Sequence, residues 1–472
     1  MSISKLEILN NILPEKQITF LLGAGASAPF FSSLGNIENI LSDSNVSVAA
    51  KELVKVIFYQ KSISDNQYLI KNLEGFCICG EKKEMLLEIL NNYENFIYTI
   101  NEIMKLKNSR ISPKRTNIIT TNYDLFIESA IEDILQDNNR IFYNDGASGY
   151  INRTLSSDNY NKTLMHSGVF DNYSSEMPTI NLIKCHGSIN WKEAIYDGKR
   201  NRILVESKFD QIKDINTLIN SNTEQITQLL SESDIKLNEE DKILTMEDIA
   251  NLLWQEYDEE LKKKLNLLGT QLNTIIKPIV EKIEKLQIVL PTKRKFQTTL
   301  IEEQYFNMLR FLSYELEKEQ SALIVFGFSF YDEHITEIVQ RSLNNPSLLV
   351  IIFCYKDSDK DEIISRFAFS NNSIPNNVIF IKPEDLILET VTREDFGDKI
   401  NELALIVHNH VHIYDERITI RKTGKPLTDA YSGKQLNEAY PYIDFKSFNK
   451  ILETNISNKF MVNKSNKGET HE

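Results

Sequence analysis

Cysteine is scarce in this chain. The four residues present among 472, Cys77, Cys79, Cys185 and Cys354, are too few and too scattered for a disulfide framework, and no Cys-x-x-Cys pair occurs, so a reducing compartment is expected. Long apolar runs are missing too: no stretch approaches the ~18 residues of a membrane span. The opening MSISKLEILNNILPEKQ lacks the basic-then-apolar order of a secretory signal, which leads to the expectation of a cytoplasmic protein without membrane association. Positive charge is in deficit, with 53 Lys+Arg against 67 Asp+Glu and a formal charge of −14. Generic duplex binding draws its affinity from neutralised phosphates, so it is not expected. Glycine and proline are modest at 16 and 11, with 41% hydrophobic and 25% charged residues, a globular composition that excludes disordered and collagen-like chains. The length is about three times the ~150-residue prior for one domain, so two or three packed units or one elaborated fold are expected.

What is present is a recurring strand-then-turn pattern. Apolar runs at Ile18–Leu22, Asn117–Thr121, Leu182–Cys185, Ala322–Phe326, Leu348–Tyr355 and Val378–Ile381 each end in a turn and mostly lead into helical periodicity. This predicts an α/β fold with a Rossmann-like, doubly wound parallel sheet. After Asn117–Thr121, the residues Leu125, Ile127, Ala130, Ile131 and Leu135 fit one helix face. Two stretches are too long for simple crossovers, so helical insertions are expected at about 30–112 and 200–290. In the second, Thr245 and Asp248 read as a capping box ahead of an apolar stripe of Ile249, Leu252, Leu253, Leu261, Leu265 and Leu268, and Pro278 should kink or end a helix. The expected organisation is one α/β domain over 1–385 and a small C-terminal extension over 386–472, with hairpin-like turns at Gly424 and Gly433 and a disordered tail.

Three motifs carry chemistry. In ITFLLGAGASA (18–28) a strand runs into G-x-G-x-x-A, where Gly23 and Gly25 allow a tight turn and close approach of backbone N–H groups to a pyrophosphate as a helix opens. A glycine turn without a ligand fits the same residues. Asp43, in LSDSN, does not look like the acid at a strand end that ordinary dinucleotide binding needs, which disfavours a hydride-transfer dehydrogenase. In IITTNYD (118–124), Asn122 and Asp124 stand at a strand end, where an amide can hold a ribose hydroxyl or water, or simply cap a helix. In IKCHGSINW (183–191), His186 stands where a proton can be exchanged near neutral pH, beside Gly187; a structural histidine fits equally. All three motifs end strands of one sheet and can therefore converge on one cleft.

The ordered set GAGAS, TTNYD, HGS and ALIVFGFSFYDEHI resembles the sirtuin family, and more closely the bacterial sirtuin-like proteins of antiphage defence, over about residues 15–385. The resemblance implies that Gly23, Ala24, Gly25 and Ser27 bind NAD+, that Asn122 orients ribose and water, and that His186 is the catalytic base. By the same resemblance Gly327 and Ser329 look like a later turn on the ribose or phosphate side, and Asp124 a cleft-organising residue. Two departures stand against protein deacylation. Residues 188–300 contain no cysteine, so the family's zinc ribbon cannot be built there and no zinc is expected. APFFSSLG also stands where deacylases carry a segment with an acid and an arginine.

The chemistry implied is cleavage of NAD+ to nicotinamide and ADP-ribose, or its cyclisation, by an NAD-depleting effector of abortive infection. IVLPTKRKF (288–296) resembles members associated with a HerA-type hexameric ATPase, so that partner and a homo-oligomer are expected. The alternatives are a non-catalytic NAD or ADP-ribose sensor or scaffold, and a deacylase. Elsewhere, His408, His410 and His412 alternate as a weak metal proposal, Asp332 reads as a helix cap followed by a solvent-facing His334, and Cys77 and Cys79 read as buried or semi-buried thiols.

Overall fold

A computed structural model of the chain describes residues 5–31, 36–69, 78–107, 113–136, 140–167, 174–196, 200–207, 209–237, 241–253, 256–290, 299–367, 369, 374–386, 390–392, 412–414, 417–419 and 442–453. Its centre is a sheet of seven strands: β1 (Gln17–Leu22), β2 (Arg115–Thr120), β3 (Phe142–Asn144), β4 (Thr179–Lys184), β7 (Ser321–Phe326), β8 (Leu349–Phe353) and β9 (Val378–Ile381), with a hairpin of β5 (Trp191–Tyr196) and β6 (Arg200–Val205) outside it. The order is β9-β8-β7-β1-β2-β4-β3, and every neighbouring pair is parallel. Such a sheet must be covered on both faces, which is why its strands read as nearly continuous apolar runs. The pleat divides them: Ile18, Phe20 and Leu22 enter one core while Leu21 enters the other. The expected Rossmann-like fold is present. The sequence reading marked six of its strands; the seventh, β3, has three residues and too short a pattern to be read.

Along one rung on the second face, apolar packing gives way to amides. Thr19, Asn117, Asn181 and Asn144 are register partners on β1, β2, β4 and β3. Asn181 Nδ2 donates to Asn117 Oδ1 at 2.8 Å, Asn144 Nδ2 to Asn181 Oδ1 at 2.8 Å, and Asn117 Nδ2 to Thr19 Oγ1 at 3.4 Å. A buried amide left unpaired is costly, so this row specifies register where Ile and Val alone would tolerate a slip.

The first face is covered by α1 (Lys5–Glu15), α4 (Glu81–Leu106) and α5 (Phe126–Gln136); the second by α9 (Thr299–Glu317), α10 (Glu333–Ser342) and α11 (Asp359–Arg366). The helices α2 (Ile37–Ser42), α3 (Val48–Ser62), α6 (Asp210–Glu232), α7 (Met246–Leu252) and α8 (Glu259–Ile283) come from the two stretches read as insertions. They meet each other: α3 lies along α8, where a Cβ on Gly269 would stand 2.4 Å from Ala50 N. The Thr245–Asp248 capping box is present.

Several local expectations are corrected. Residues 200–205 are strand β6 rather than helix, because Ile203 and Val205 alternate into the core beside Trp191. The single apolar stripe is divided between α7 and α8. Pro278 does not end its helix: it lies within α8, which continues to Ile283. On α5 the buried position is Ile134, and Leu135 is 39% exposed.

Residues 390–392, 412–414 and 417–419 form a small antiparallel sheet, but residues 442–453 return to the core, with a helix over 445–453 (α12). Phe445 and Phe448 stack on Phe326 with ring centroids 5.3 and 4.6 Å away, and Phe448 meets Phe353 edge-on at 4.8 Å. The turns at Gly424 and Gly433, His408, His410, Cys77, the tail and the TKRKF of the ATPase-like segment lie outside the described residues. Cys79 is exposed rather than buried. No described helix is long and apolar enough to cross a membrane.

Candidate active site

The four central strands end together. Phe326, Leu22, Thr120 and Lys184 lie on one rung, so Gly327 and Gly23 stand one residue beyond it, and Asn122 and His186 two. The strand order reverses at β1 and β7, and the carboxyl ends at such a switch point are where open α/β sheets hold ligands.

The glycines owe their identity to packing. Gly25 N donates to Gly327 O at 3.0 Å and Gly23 N to Phe326 O at 3.1 Å. A Cβ on Gly23 would stand 2.3 Å from Gly327 O, and one on Gly25 2.7 Å from Gly327 Cα. The two turns therefore close backbone on backbone, while Ala24 and Gly25 stay exposed at the surface of the turn. The α-helix expected to open here is a single 3-10 turn, Ala24–Ala26. Gly187 has a similar reason: its φ is +83, and a Cβ would fall 2.1 Å from Gln287 O.

Behind the turn, Ser27 is buried and its hydroxyl is fully used. It donates to Asp124 Oδ2 at 2.7 Å, and Asn122 Nδ2 reaches it at 3.1 Å. With that hydrogen committed, the Tyr93 hydroxyl at 2.8 Å must be the donor; burial pushes the Tyr93 pKa well above the usual phenol value, which keeps the proton on it. The other N–H of Asn122 donates to Gly23 O at 3.0 Å. A backbone carbonyl can only accept, so the amide orientation is fixed, and Oδ1 is the face that Asn122 presents.

Beneath this network lie buried charges. Lys184 Nζ pairs with Glu128 Oε1 at 2.7 Å, donates to Ser188 Oγ at 3.1 Å, and also donates to Asp124 O. Burial raises the pKa values of Asp124 and Glu128, and the Lys184 ammonium opposes that rise.

His186 is half-buried between aromatic rings, Tyr123 with centroids 6.4 Å away and Tyr305 at 5.8 Å. Its carbonyl accepts from Val289 N at 2.8 Å, and Tyr123 Oη donates to Val289 O at 2.7 Å. Its Nε2 lies 2.9 Å from Asp332 Oδ2. Asp332 caps α10 as expected, with Oδ1 accepting from His334 N at 3.0 Å and Ile335 N at 3.2 Å, and His334 is exposed. Sequence reading missed the second half of its role, because 146 residues separate it from His186. It also missed Tyr93, Tyr305 and Lys184, each lost within ordinary apolar or strand patterns.

The structure thus joins Gly23, Ser27, Asn122 and Asp124 in one network, sets His186 beyond the adjacent strand, and packs Gly327 against Gly25. Ser329 stands apart: it is exposed, and its carbonyl accepts from Arg366. Asp43 is a clasp between helices, accepting from Tyr257 Oη at 2.6 Å and pairing with Lys262 at 3.1 Å, in keeping with its dismissal as a ribose ligand. Among the described residues, no group of three or more His, Cys, Asp or Glu is placed to hold a metal ion.

Residues 116–268 match a family model described as the SIR2-like domain. No curated protein matches the chain. The matched span includes Asn122, Asp124 and His186 and leaves the Gly23–Ser27 turn and Asp332 outside it. It supports a sirtuin-like family and NAD-related chemistry, since SIR2-like domains bind NAD+.

Proposed function

We propose that the chain is an NAD+ glycohydrolase. The observation that carries this reading is the commitment of both Asn122 N–H groups, to Gly23 O and Ser27 Oγ, which leaves a fixed Oδ1 acceptor one strand from His186. An acceptor so placed suits a ribose hydroxyl or an attacking water, and an imidazole suits the proton that this water or hydroxyl must lose. In the reaction, the bond between ribose C1′ and the pyridinium nitrogen breaks with its electron pair going to nitrogen. Nicotinamide leaves neutral, water oxygen bonds to C1′, and the released proton passes to His186. The exposed backbone of Ala24 and Gly25 offers the pyrophosphate an approach, and Asp124 acts through Ser27. Because the leaving group is already cationic, positioning and a proton acceptor supply most of what the protein must add.

The resemblance of GAGAS, TTNYD, HGS and GFSFYDEHI to antiphage sirtuin-like proteins extends the proposal to an NAD-depleting effector that works with a HerA-type ATPase and as a homo-oligomer. The test is mass-spectrometric detection of nicotinamide and ADP-ribose from NAD+, with and without such an ATPase, for wild type, Asn122→Ala and His186→Ala. Turnover lost in both variants and independent of an acyl-peptide supports hydrolysis. Acyl-dependent nicotinamide release would favour deacylation. Tight NAD+ binding without turnover under any condition would favour a sensor.

A further inference from the structure

We infer that Asp332 is a positioning residue that fixes the tautomer of His186, so that Nδ1, rather than the ring-tip Nε2, is the atom that accepts the proton. Asp332 is buried, and its carboxylate accepts from two backbone N–H groups on Oδ1 and from the Tyr305 hydroxyl at 3.3 Å from Oδ1 and 3.4 Å from Oδ2. Burial and the Asp332 charge push the Tyr305 pKa up, which keeps that phenol protonated and donating. A carboxylate accepts only, so the 2.9 Å contact from Oδ2 to His186 Nε2 requires the proton on Nε2. In the neutral ring the lone pair then lies on Nδ1.

The carboxylate is also held from its own side. Gly327 and Phe330 have φ of +64 and +59, and a bulky residue in the left-handed region is strained unless its surroundings enforce it. Here they do: Phe330 is 1% exposed, packs against Phe328 at 5.0 Å and Phe367 at 4.9 Å, and its carbonyl accepts from Thr336 Oγ1 at 3.0 Å. The turn that delivers Asp332 is thus fixed by packing independent of His186.

Asp332→Asn isolates the tautomer from the fold. Asparagine caps helices about as well as aspartate. Its single oxygen must stay on the His334 and Ile335 N–H groups, which puts the amide NH2 where Oδ2 was, donating to Nε2. The proton is then forced onto Nδ1. The experiment is 15N spectroscopy of the full chain labelled at histidine, with His186 assigned by loss of its signals in His186→Ala, at a pH where the imidazole is neutral. The expected wild-type ring carries N–H at Nε2 and a bare Nδ1; Asp332→Asn reverses the two with an unchanged melting temperature. The activity arm rests on the NAD+ cleavage proposed above: kcat should fall by about a hundredfold or more, as expected for a base in the wrong tautomer, with KM changed only a few-fold. A bare Nε2 in wild type, or the same tautomer in both proteins, overturns the inference. The expected tautomers in a chain that does not cleave NAD+ would uphold it and overturn the glycohydrolase reading instead.

Discussion

The Tyr93 hydroxyl lies 2.8 Å from Ser27 Oγ, and Phe445 of α12 packs edge-on against the Tyr93 ring at 4.8 Å. Three segments far apart in sequence therefore support one side chain, the amide of Asn122. Its orientation depends on Ser27 as an acceptor, and Ser27 on Tyr93 and Asp124 to hold its rotamer.

Ser27→Ala should remove the acceptor of one Asn122 N–H and free the amide to turn. A hydrogen bond of this kind is worth about 1–2 kcal/mol, which corresponds to roughly a tenfold loss in kcat where it is realised in the transition state. Tyr93→Phe removes one donor and leaves the Ser27–Asp124 bond, so its effect on kcat should be smaller. Steady-state NAD+ cleavage with both variants checks the order; equal rates for wild type and Ser27→Ala would refute the positioning role.

Lys184 pairs with the Glu128 carboxylate and donates to the Asp124 backbone carbonyl, with its side chain 4% exposed. Removing it as Lys184→Met strands the largely buried Glu128 carboxylate, and breaking a buried pair from one side costs about 3–5 kcal/mol. Adding Glu128→Leu should restore most of that loss, since both charges then go. Urea unfolding of the two single variants and the double variant forms the cycle; a double variant no more stable than Lys184→Met would show that the pair is not coupled.

How much of this was legible in the sequence follows from where each interaction lives. Strand β1 and its turn are local: six residues, a hydrophobic run and glycines, so Gly23 and Gly25 could be read directly, although their reason proved to be contact with Gly327. Asn122, Asp124 and His186 were readable because strand ends carry them. The Asp332–His186 contact spans 146 residues and has no local pattern; Asp332 already had a sufficient local explanation as a cap. The core role of α12 was hidden for a similar reason. PYIDFKSFNKIL is short and half polar, and only the sheet face of Phe326 and Phe353 shows what it covers.

That coverage gives a third expectation. Phe448 is fully buried among Phe326, Phe353 and Phe445, and truncating such a ring to alanine costs about 3–5 kcal/mol. Phe448→Ala should lower the melting temperature sharply. A chain ending at residue 385 should be poorly soluble, because it uncovers the same face. A soluble 1–385 fragment melting like the full chain would contradict this packing.

Lys107 supplies a pH signature. It is 3% exposed, its Nζ donates to Lys16 O at 2.9 Å, and burial lowers its pKa to about 8, against a small opposing pull from Glu176. The unfolded chain releases this proton near the usual ~10.4. Between about 8 and ~10.4 the unfolded chain therefore holds more proton on Lys107 than the folded one, and this group's contribution to stability rises with pH across that window. The whole shift corresponds to roughly 3 kcal/mol, as an upper figure for this one group. Lys107→Met keeps the side chain's length and removes the titration, at the cost of the bond to Lys16 O. Urea unfolding at half-unit steps from pH 7 to 10 should show wild type gaining on the variant as pH rises, with the difference cancelling tyrosines common to both. Parallel stability curves for the two proteins would mean that Lys107 keeps its proton in the fold and that its burial is relieved by water.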